Sequence, residues 1–300
     1  MSKKMRGLVM SGGGAKGAFQ VGVMAELVEH GLEYEFVSGV STGALQASAM
    51  SQFKIGEMAG AVELLDEIWL GLKGDKDIYQ RWFFGKLAGL INRDAFYNSK
   101  PLHKIIKKHV LDERAQQCGR EIRIGCCSYG KGHYWEADQN TPELWKWVIA
   151  SSGVEPFLLG YRINDDFWMD GGYRCVTPLR SAIKAGCDEI DVIITGPPKT
   201  SHRDPDDNWL GTKLNAYHVG MRCVGLMSDE IFLRDAERAM QTNHLVEANH
   251  PSVNGKRKVD IRLFVPERKL GGSLNFDPKL IRDRREHGVE LAKKILNGTT

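Results

Sequence analysis

The tightest constraint in this chain is the pentapeptide Gly39-Val40-Ser41-Thr42-Gly43. An apolar run from Glu35 to Ser38 leads into it, and a helix-like stretch from Ala44 to Phe53 leads out. A serine between two glycines at a strand-to-helix turn has the form of a nucleophile elbow. The sharp turn lifts the hydroxyl clear of the sheet, and Gly39 and Gly43 remove side chains where strand and helix pass close together. Gly-x-Ser-x-Gly also occurs in ordinary turns, so the neighbouring motifs decide its meaning.

The first neighbour lies upstream. Arg6 to Met10 reads as a short buried strand that enters Ser11-Gly12-Gly13-Gly14-Ala15-Lys16-Gly17. A helix follows to about His30, closed by Gly31, with apolar residues over most of its surface. Three readings of this turn stay open. Gly12, Gly14 and Gly17 fit the dinucleotide fingerprint, with Glu33 or Glu35 near the ribose-acid position. Consecutive glycines also let backbone N–H groups converge at a helix N-terminus, which suits an oxyanion. The plain reading is a tight turn. A Walker loop is excluded, because Ala18 stands where lysine should follow the last glycine.

Along the rest of the chain, helical spacing covers Glu57 to Leu72 and Pro101 to Val110, and Glu121 to Ser128 reads as a strand. A hairpin turn, Tyr129 to His133, leads to Tyr134–Ala137. Thr141 is expected to cap a helix with Pro142 in its first turn, running to Ser151-Ser152-Gly153. Short strands are expected at Phe157–Leu159, Tyr161–Ile163 and Phe167–Met169, the last delivering Asp170-Gly171-Gly172. A helix opens at Pro178, and strands cover Glu189–Thr195 and Val259–Val265. Further helices are expected around Leu214–Val224, from Ser228 to about Glu247, and after Asp277-Pro278. Strands alternating with helices predict one α/β domain over residues 1–300 with a mostly parallel sheet. Its motif-bearing core spans about 6–196, and 197–300 completes it.

Composition narrows the function. A net charge of +3 and a pI ≈ 8.4 are too mild for a nucleic-acid binder, yet would not repel an anionic membrane. Cysteines 118, 126, 127, 175, 187 and 223 show no metal spacing, and no metal or cofactor is expected. Reduced thiols, no signal peptide and no spanning run predict a cytoplasmic protein. The aromatics Tyr79, Trp82, Phe83, Phe84, Phe96 and Tyr97 suit either a lipid-touching cap or packing under a long loop. His133 reads as surface, and His244 and His250 lack metal spacing. Arg282, Arg284 and Arg285 read as a solvated helix face, with a lipid headgroup contact as the alternative.

A glycine turn, a serine elbow and a late aspartate flanked by glycines can supply donors, nucleophile and base for acyl transfer. In this order they resemble the patatin-like phospholipase family. The resemblance covers roughly residues 6 to 196: Gly12 to Gly17, Gly39 to Gly43, Ala150-Ser151-Ser152 with Pro156, Asp170-Gly171-Gly172, and Pro178-Leu179. It implies a three-layer α/β/α fold and hydrolysis of phospholipid acyl esters without metal. It also implies a dyad of Ser41 as nucleophile and Asp170 as base, with no catalytic histidine. Gly12, Gly13 and Gly14 would form the oxyanion hole, and Lys16, Gly17, Gly39, Gly43, Gly171 and Gly172 would support the motifs. Thr177 and Gly153-Val154-Glu155-Pro156 depart from the family pattern. The partner implied is membrane or micellar phospholipid, met peripherally, with Trp82-Phe83-Phe84 as the apolar contact. The rivals are a Ser-His-Asp esterase using His202, a dinucleotide-binding protein, and a non-enzymatic lipid-binding protein.

Overall fold

The computed structural model describes residues 4–81, 95–196 and 237–298. Trp82-Phe83-Phe84, His202, Cys223 and the expected helices between 214 and 236 lie outside the described residues, while 237–247 is helical. An eight-stranded mixed sheet runs in the order β10-β9-β1-β2-β5-β8-β7, with β6 also paired to β5. Its strands are β1 (Arg6–Met10), β2 (Phe36–Val40), β5 (Glu121–Ser128), β6 (Tyr134–Ala137), β7 (Tyr161–Ile163), β8 (Asp166–Asp170), β9 (Glu189–Ile193) and β10 (Asp260–Phe264). The five strands from β10 to β5 are parallel; β6, β7 and β8 are antiparallel additions. A separate two-stranded ribbon pairs β3 (Gln80–Arg81) with β4 (Tyr97–Asn98).

Alternation along the strands builds two cores. Leu8, Met10, Val37 and Ile193 point to one face, where α1 (Gly17–Glu29), α2 (Thr42–Met50), α3 (Met58–Gly71), α4 (Lys100–His109) and α6 (Leu144–Ser151) pack. Val9, Phe36 and Val192 point to the other, where α7 (Leu179–Ala185) packs through Leu179 and Ala182. The result is a three-layer α/β/α fold. The nearly all-apolar α1 is explained by what lies behind it. The long C-terminal helix α8 (Pro278–Leu296) crosses α1 in backbone contact, Gly22 against Arg285 O and Gly288 against Phe19 O. A Cβ at either glycine would clash with that carbonyl.

Three local expectations are corrected. Helix α6 starts at Leu144, not at Thr141; its first N–H groups, Glu143 and Leu144, are capped by the Asp112 carboxylate at 2.7 and 3.0 Å. Asp112 belongs to the short helix α5 (Asp112–Gln117), so this cap comes from a distant segment. Phe157–Leu159 is a turn rather than a strand, with Phe157 N–H and Leu158 N–H donated to Val154 O. Finally, the three arginines of α8 do not share a solvated face. Arg282 is exposed, Arg285 bridges to Asp66 on α3, and Arg284 is buried. The Asp277 cap holds as expected, its carboxylate accepting Lys279 N–H and Leu280 N–H.

Candidate active site

Strand pairing brings the two distant motifs together. Gly125 pairs with Val40 of β2 and with Glu136 of β6. Cys126, the next residue, pairs with Trp135 of β6 and with Asp170 of β8. A strand has two edges, so β2 and β8 share one edge of β5 and meet there end to end. The C-terminal ends of both strands, Val40-Ser41 and Asp170, therefore converge.

Ser41 itself stands at φ 56°, ψ −123°, between β2 and α2. A side-chain-bearing residue at positive φ is strained and persists only where its surroundings enforce it. They do so here by close packing and by one hydrogen bond. A Cβ on Gly39 would strike the Gly43 carbonyl, and one on Gly43 would strike Met10 O, so no larger residue fits either place. The Ser41 N–H donates to Ser151 Oγ at 2.9 Å, and Ser151 Oγ donates onward to Gly125 O at 2.7 Å. Ser151 thus ties the elbow to β5.

The glycine turn lies alongside. Gly12 faces Ser41, with its missing Cβ only 3.2 Å from Ser41 Cβ. Its N–H is donated to Val176 O at 3.1 Å, so Gly12 offers room rather than a free donor. Its carbonyl accepts Ser11 Oγ at 3.0 Å and Thr195 Oγ1. In a trans peptide the next N–H points the opposite way, so these hydroxyls aim the Gly13 N–H away from themselves. Gly13 and Gly14 adopt φ 154° and 58°, and among the described residues no acceptor takes either N–H. Gly17 lies under Thr42 Oγ1 in the same packing. Gln20 and Gln46 lock turn to elbow: Gln20 Nε2 donates to Ser11 O, and Gln46 Nε2 to Gln20 Oε1 and Gly17 O.

Asp170 is 5% exposed. Its N–H donates to Gly153 O at 2.9 Å, and its Oδ1 accepts Gly172 N–H at 2.7 Å. Gly171 lies against the Gly125 carbonyl, where a Cβ would collide. Burial pushes the Asp170 carboxyl up to about 7, against the opposing pull of the Ser41 hydroxyl and the Gly172 N–H. Among the described residues no histidine hydrogen-bonds to Ser41 or Asp170; His133 packs edge-on against Trp168 at 5.4 Å.

Ser41, Asp170 and Gly12 to Gly14 open on one cleft of about 410 Å³, which Lys16 also lines. Its walls are apolar: Leu65, Ile68 and Trp69 of α3, Leu102 and Ile106 of α4, and Phe276. Tyr79 packs on Tyr97 and on Phe276 of the wall, and Phe96 packs on Phe157, also of the wall. The dinucleotide reading fails at its acidic position. Glu33 is taken by Met58 N–H and Arg120, and Glu35 by Arg6 N–H. Among the described residues no group of three His, Cys, Asp or Glu side chains is placed to hold a metal, and no helix is long and apolar enough to cross a membrane.

Thr195 and the loop around Ser273 lie at the candidate site and no motif singles them out. Ser11 and Ser151 stand inside quoted motif segments, the glycine turn and Ala150-Ser151-Ser152, without a role assigned there.

Comparison with known proteins places the chain among its relatives. The chain is 23% identical over 228 residues to lysophospholipase NTE1 of Eremothecium gossypii, covering 73% of this chain and 13% of that protein. It is 25% identical over 211 residues to lysophospholipase NTE1 of Cryptococcus neoformans, covering 68% and 12%. It therefore spans only about an eighth of the length of these relatives. Among solved structures, VipD from Legionella pneumophila aligns over 99% of this chain and 67% of its own, with TM-score 0.48 and 15% identity. The model of patatin-like phospholipases matches residues 8–183, well over half of the chain, and the protein belongs to that family.

Proposed function

We propose that the protein is a serine hydrolase of lipid acyl esters. The observation that carries this reading is the meeting, on an apolar cleft, of Ser41 and a buried Asp170 that has no counter-ion among the described residues. Ser41 Oγ attacks the acyl carbon while Asp170 takes its proton. The Gly13 and Gly14 N–H groups receive the negative charge that develops on the carbonyl oxygen. Asp170 then returns the proton to the leaving alcohol, and an acyl-Ser41 ester remains. Water attacks that ester with Asp170 again as base, releasing the fatty acid and regenerating the hydroxyl.

An aspartate at its ordinary pKa of about 3.9 is a weak base. A site that raises it to about 7 makes proton transfer from a serine less costly and still leaves about half of it ionised at neutral pH. The cleft volume lies in the usual range for small-molecule sites, about 300–1,000 Å³, and its apolar walls suit one acyl chain. The substrate class we favour is a single-chain phospholipid, in keeping with the lysophospholipase name of the relatives, met at a membrane or micelle surface. Diacyl phospholipids are the second class to assay.

A fluorophosphonate probe should label Ser41 and no other residue, with labelling lost in Ser41→Ala. Incubation with mixed lysophospholipids and phospholipids, followed by mass analysis, should show free fatty acid with the glycerophosphate portion intact. A folded protein that neither reacts with the probe nor releases fatty acid is not this enzyme.

A further inference from the structure

Arg284 lies outside the span matched by the family model, yet it reaches the glycine turn. It is 1% exposed. Its fork meets four carbonyls: Nε donates to Leu270 O at 2.7 Å, Nη1 to Asn275 O at 2.9 Å and Ala15 O at 3.0 Å, and Nη2 to Gly272 O at 3.2 Å. Among the described residues no carboxylate stands within ion-pair distance of it. Burial lowers its proton affinity, Asp283 and Asp277 oppose that only from beyond ion-pair distance, and withdrawing a guanidinium from water without a directly paired carboxylate is costly.

The geometry it enforces is the placement of the oxyanion donors. Ala15 follows Gly13 and Gly14 directly, and its two backbone groups are held by the 270–275 loop and by Arg284 of α8. Its N–H donates to Ser273 O at 2.7 Å, while its carbonyl accepts Arg284. Gly14 lies so close to Ser273 O that a Cβ there would overlap it. Leu270, Gly272 and Asn275 are gathered by the same guanidinium that holds Ala15, so loop and turn form one unit. The unit has a second anchor in Tyr79, whose hydroxyl donates to Leu274 O at 2.6 Å. Ser273 and Leu274 also line the cleft.

We infer that Arg284 is a positioning residue for acyl transfer. From the C-terminal helix it fixes the turn whose Gly13 and Gly14 N–H groups face the developing oxyanion. It touches neither substrate nor dyad. The inference rests on the acyl-transfer reading above. Lysine keeps the charge but lacks the planar fork, and it cannot meet four carbonyls spread around one plane.

The test compares Arg284→Lys, Arg284→Met and Arg285→Met in the full chain. Arg285 is the control: it sits on the same helix and pairs with Asp66 at 2.5 Å, away from the turn. On one soluble medium-chain ester, kcat should fall about tenfold in Arg284→Lys and about a hundredfold in Arg284→Met, the scale of losing an oxyanion donor. KM should stay within about threefold in both, because the acyl walls are untouched. Arg285→Met should lower Tm and keep kcat within about twofold. Hydrogen exchange of the peptide spanning 11–17 should quicken in the Arg284 variants and not in Arg285→Met. Should Arg284→Met fail to fold, Arg284→Lys decides. Wild-type kcat in Arg284→Lys overturns the inference, as does an equal loss of kcat in Arg285→Met. If the wild-type protein neither turns over esters nor reacts with fluorophosphonate, the enzymatic reading fails by itself. The exchange pattern then still decides whether Arg284 holds the turn.

Discussion

Two aspartates of one sheet are equally withdrawn from water and differently furnished. Asp191 on β9 is 6% exposed, and Asp170 at the end of β8 is 5% exposed. Asp191 accepts the Tyr34 hydroxyl at 2.5 Å and a two-pronged guanidinium from Arg262 at 2.6 and 2.8 Å. Asp170 receives the Gly172 N–H and faces the Ser41 hydroxyl, and no cation approaches it among the described residues. Burial alone therefore does not decide what surrounds a carboxylate. Withholding the counter-ion leaves the desolvation penalty uncompensated, and the carboxyl rises toward neutral pH. Supplying one turns an equally buried carboxylate into a brace between β9 and β10.

The sharpest way to break this contrast is to neutralise each aspartate in turn. Asp170→Asn should lose about a thousandfold or more in kcat/KM, since an amide cannot accept the serine proton. Ser41→Ala should fall at least as far. Asp191→Asn should stay within about threefold of wild type when assayed well below its Tm. His202→Ala should keep most of its activity. All four belong side by side on one soluble ester after circular dichroism. An inactive histidine variant with an active Asp170→Asn would replace the dyad with a histidine-based triad.

The pH profile sharpens the same comparison. In the proposed dyad the base must be ionised to act, and burial raises the Asp170 carboxyl to about 7. Log kcat/KM should then rise with unit slope up to about pH 7 and level off above it, so activity at pH 5 is about a hundredfold below the plateau. Asp191→Asn should leave the midpoint in place. A plateau that extends down to pH 5 would show that Asp170 titrates like an ordinary carboxylate.

Much of this arrangement was legible in the chain because it depends on local pattern. The elbow, the glycine turn and Asp170-Gly171-Gly172 each carry a short signature set by sterics over a few residues, and the strand alternation that builds the two cores is equally local. What stayed hidden depends on contacts between distant segments. The end-to-end meeting of β2 and β8 follows from their shared register on β5, which no local signal encodes. The start of α6 moved because Asp112, about thirty residues earlier, caps it better than Thr141, which bonds Asp138 instead. Arg284 looked solvated because a triplet of nearby arginines ordinarily is; only the crossing of α8 over α1 and the return of the 270–275 loop bury it.

The stability cost of Asp191→Asn is the next smaller effect. The change leaves Arg262 and the Tyr34 hydroxyl without their acceptor charge. Breaking a fully buried pair costs about 3–5 kcal/mol. Arg262 is 38% exposed and regains some water, which brings the expectation to about 2 kcal/mol. In a chain of this size that lowers Tm by about 5 °C. An unchanged Tm would mean that the bridge contributes nothing to the fold, and the contrast with Asp170 would lose one side.

The smallest expected effect has the opposite sign. Asp170 titrates near 3.9 in the unfolded chain and near 7 in the folded one. Below about pH 4 both states are protonated, and the site imposes no charge penalty on folding. Between pH 4 and 7 the unfolded chain releases its proton while the folded protein holds on, so stability falls across that window and stays lowered above it. Asparagine removes the charge but keeps an oxygen for the Gly172 N–H. At pH 8 Asp170→Asn should therefore be more stable than wild type, while at pH 4 the two should coincide. The full shift corresponds to about 4 kcal/mol at 1.36 kcal/mol per pKa unit. Water entering the cleft and imperfect amide geometry reduce this to about 1 kcal/mol, or some 2–4 °C in Tm. The measurement is a pair of urea melts at each pH. A variant less stable than wild type at pH 8 would show that the folded protein tolerates the Asp170 charge without penalty, and the pH-dependent base would lose its physical cause. A stability gain joined to lost activity would mark Asp170 as a group held ionised against the preference of its surroundings.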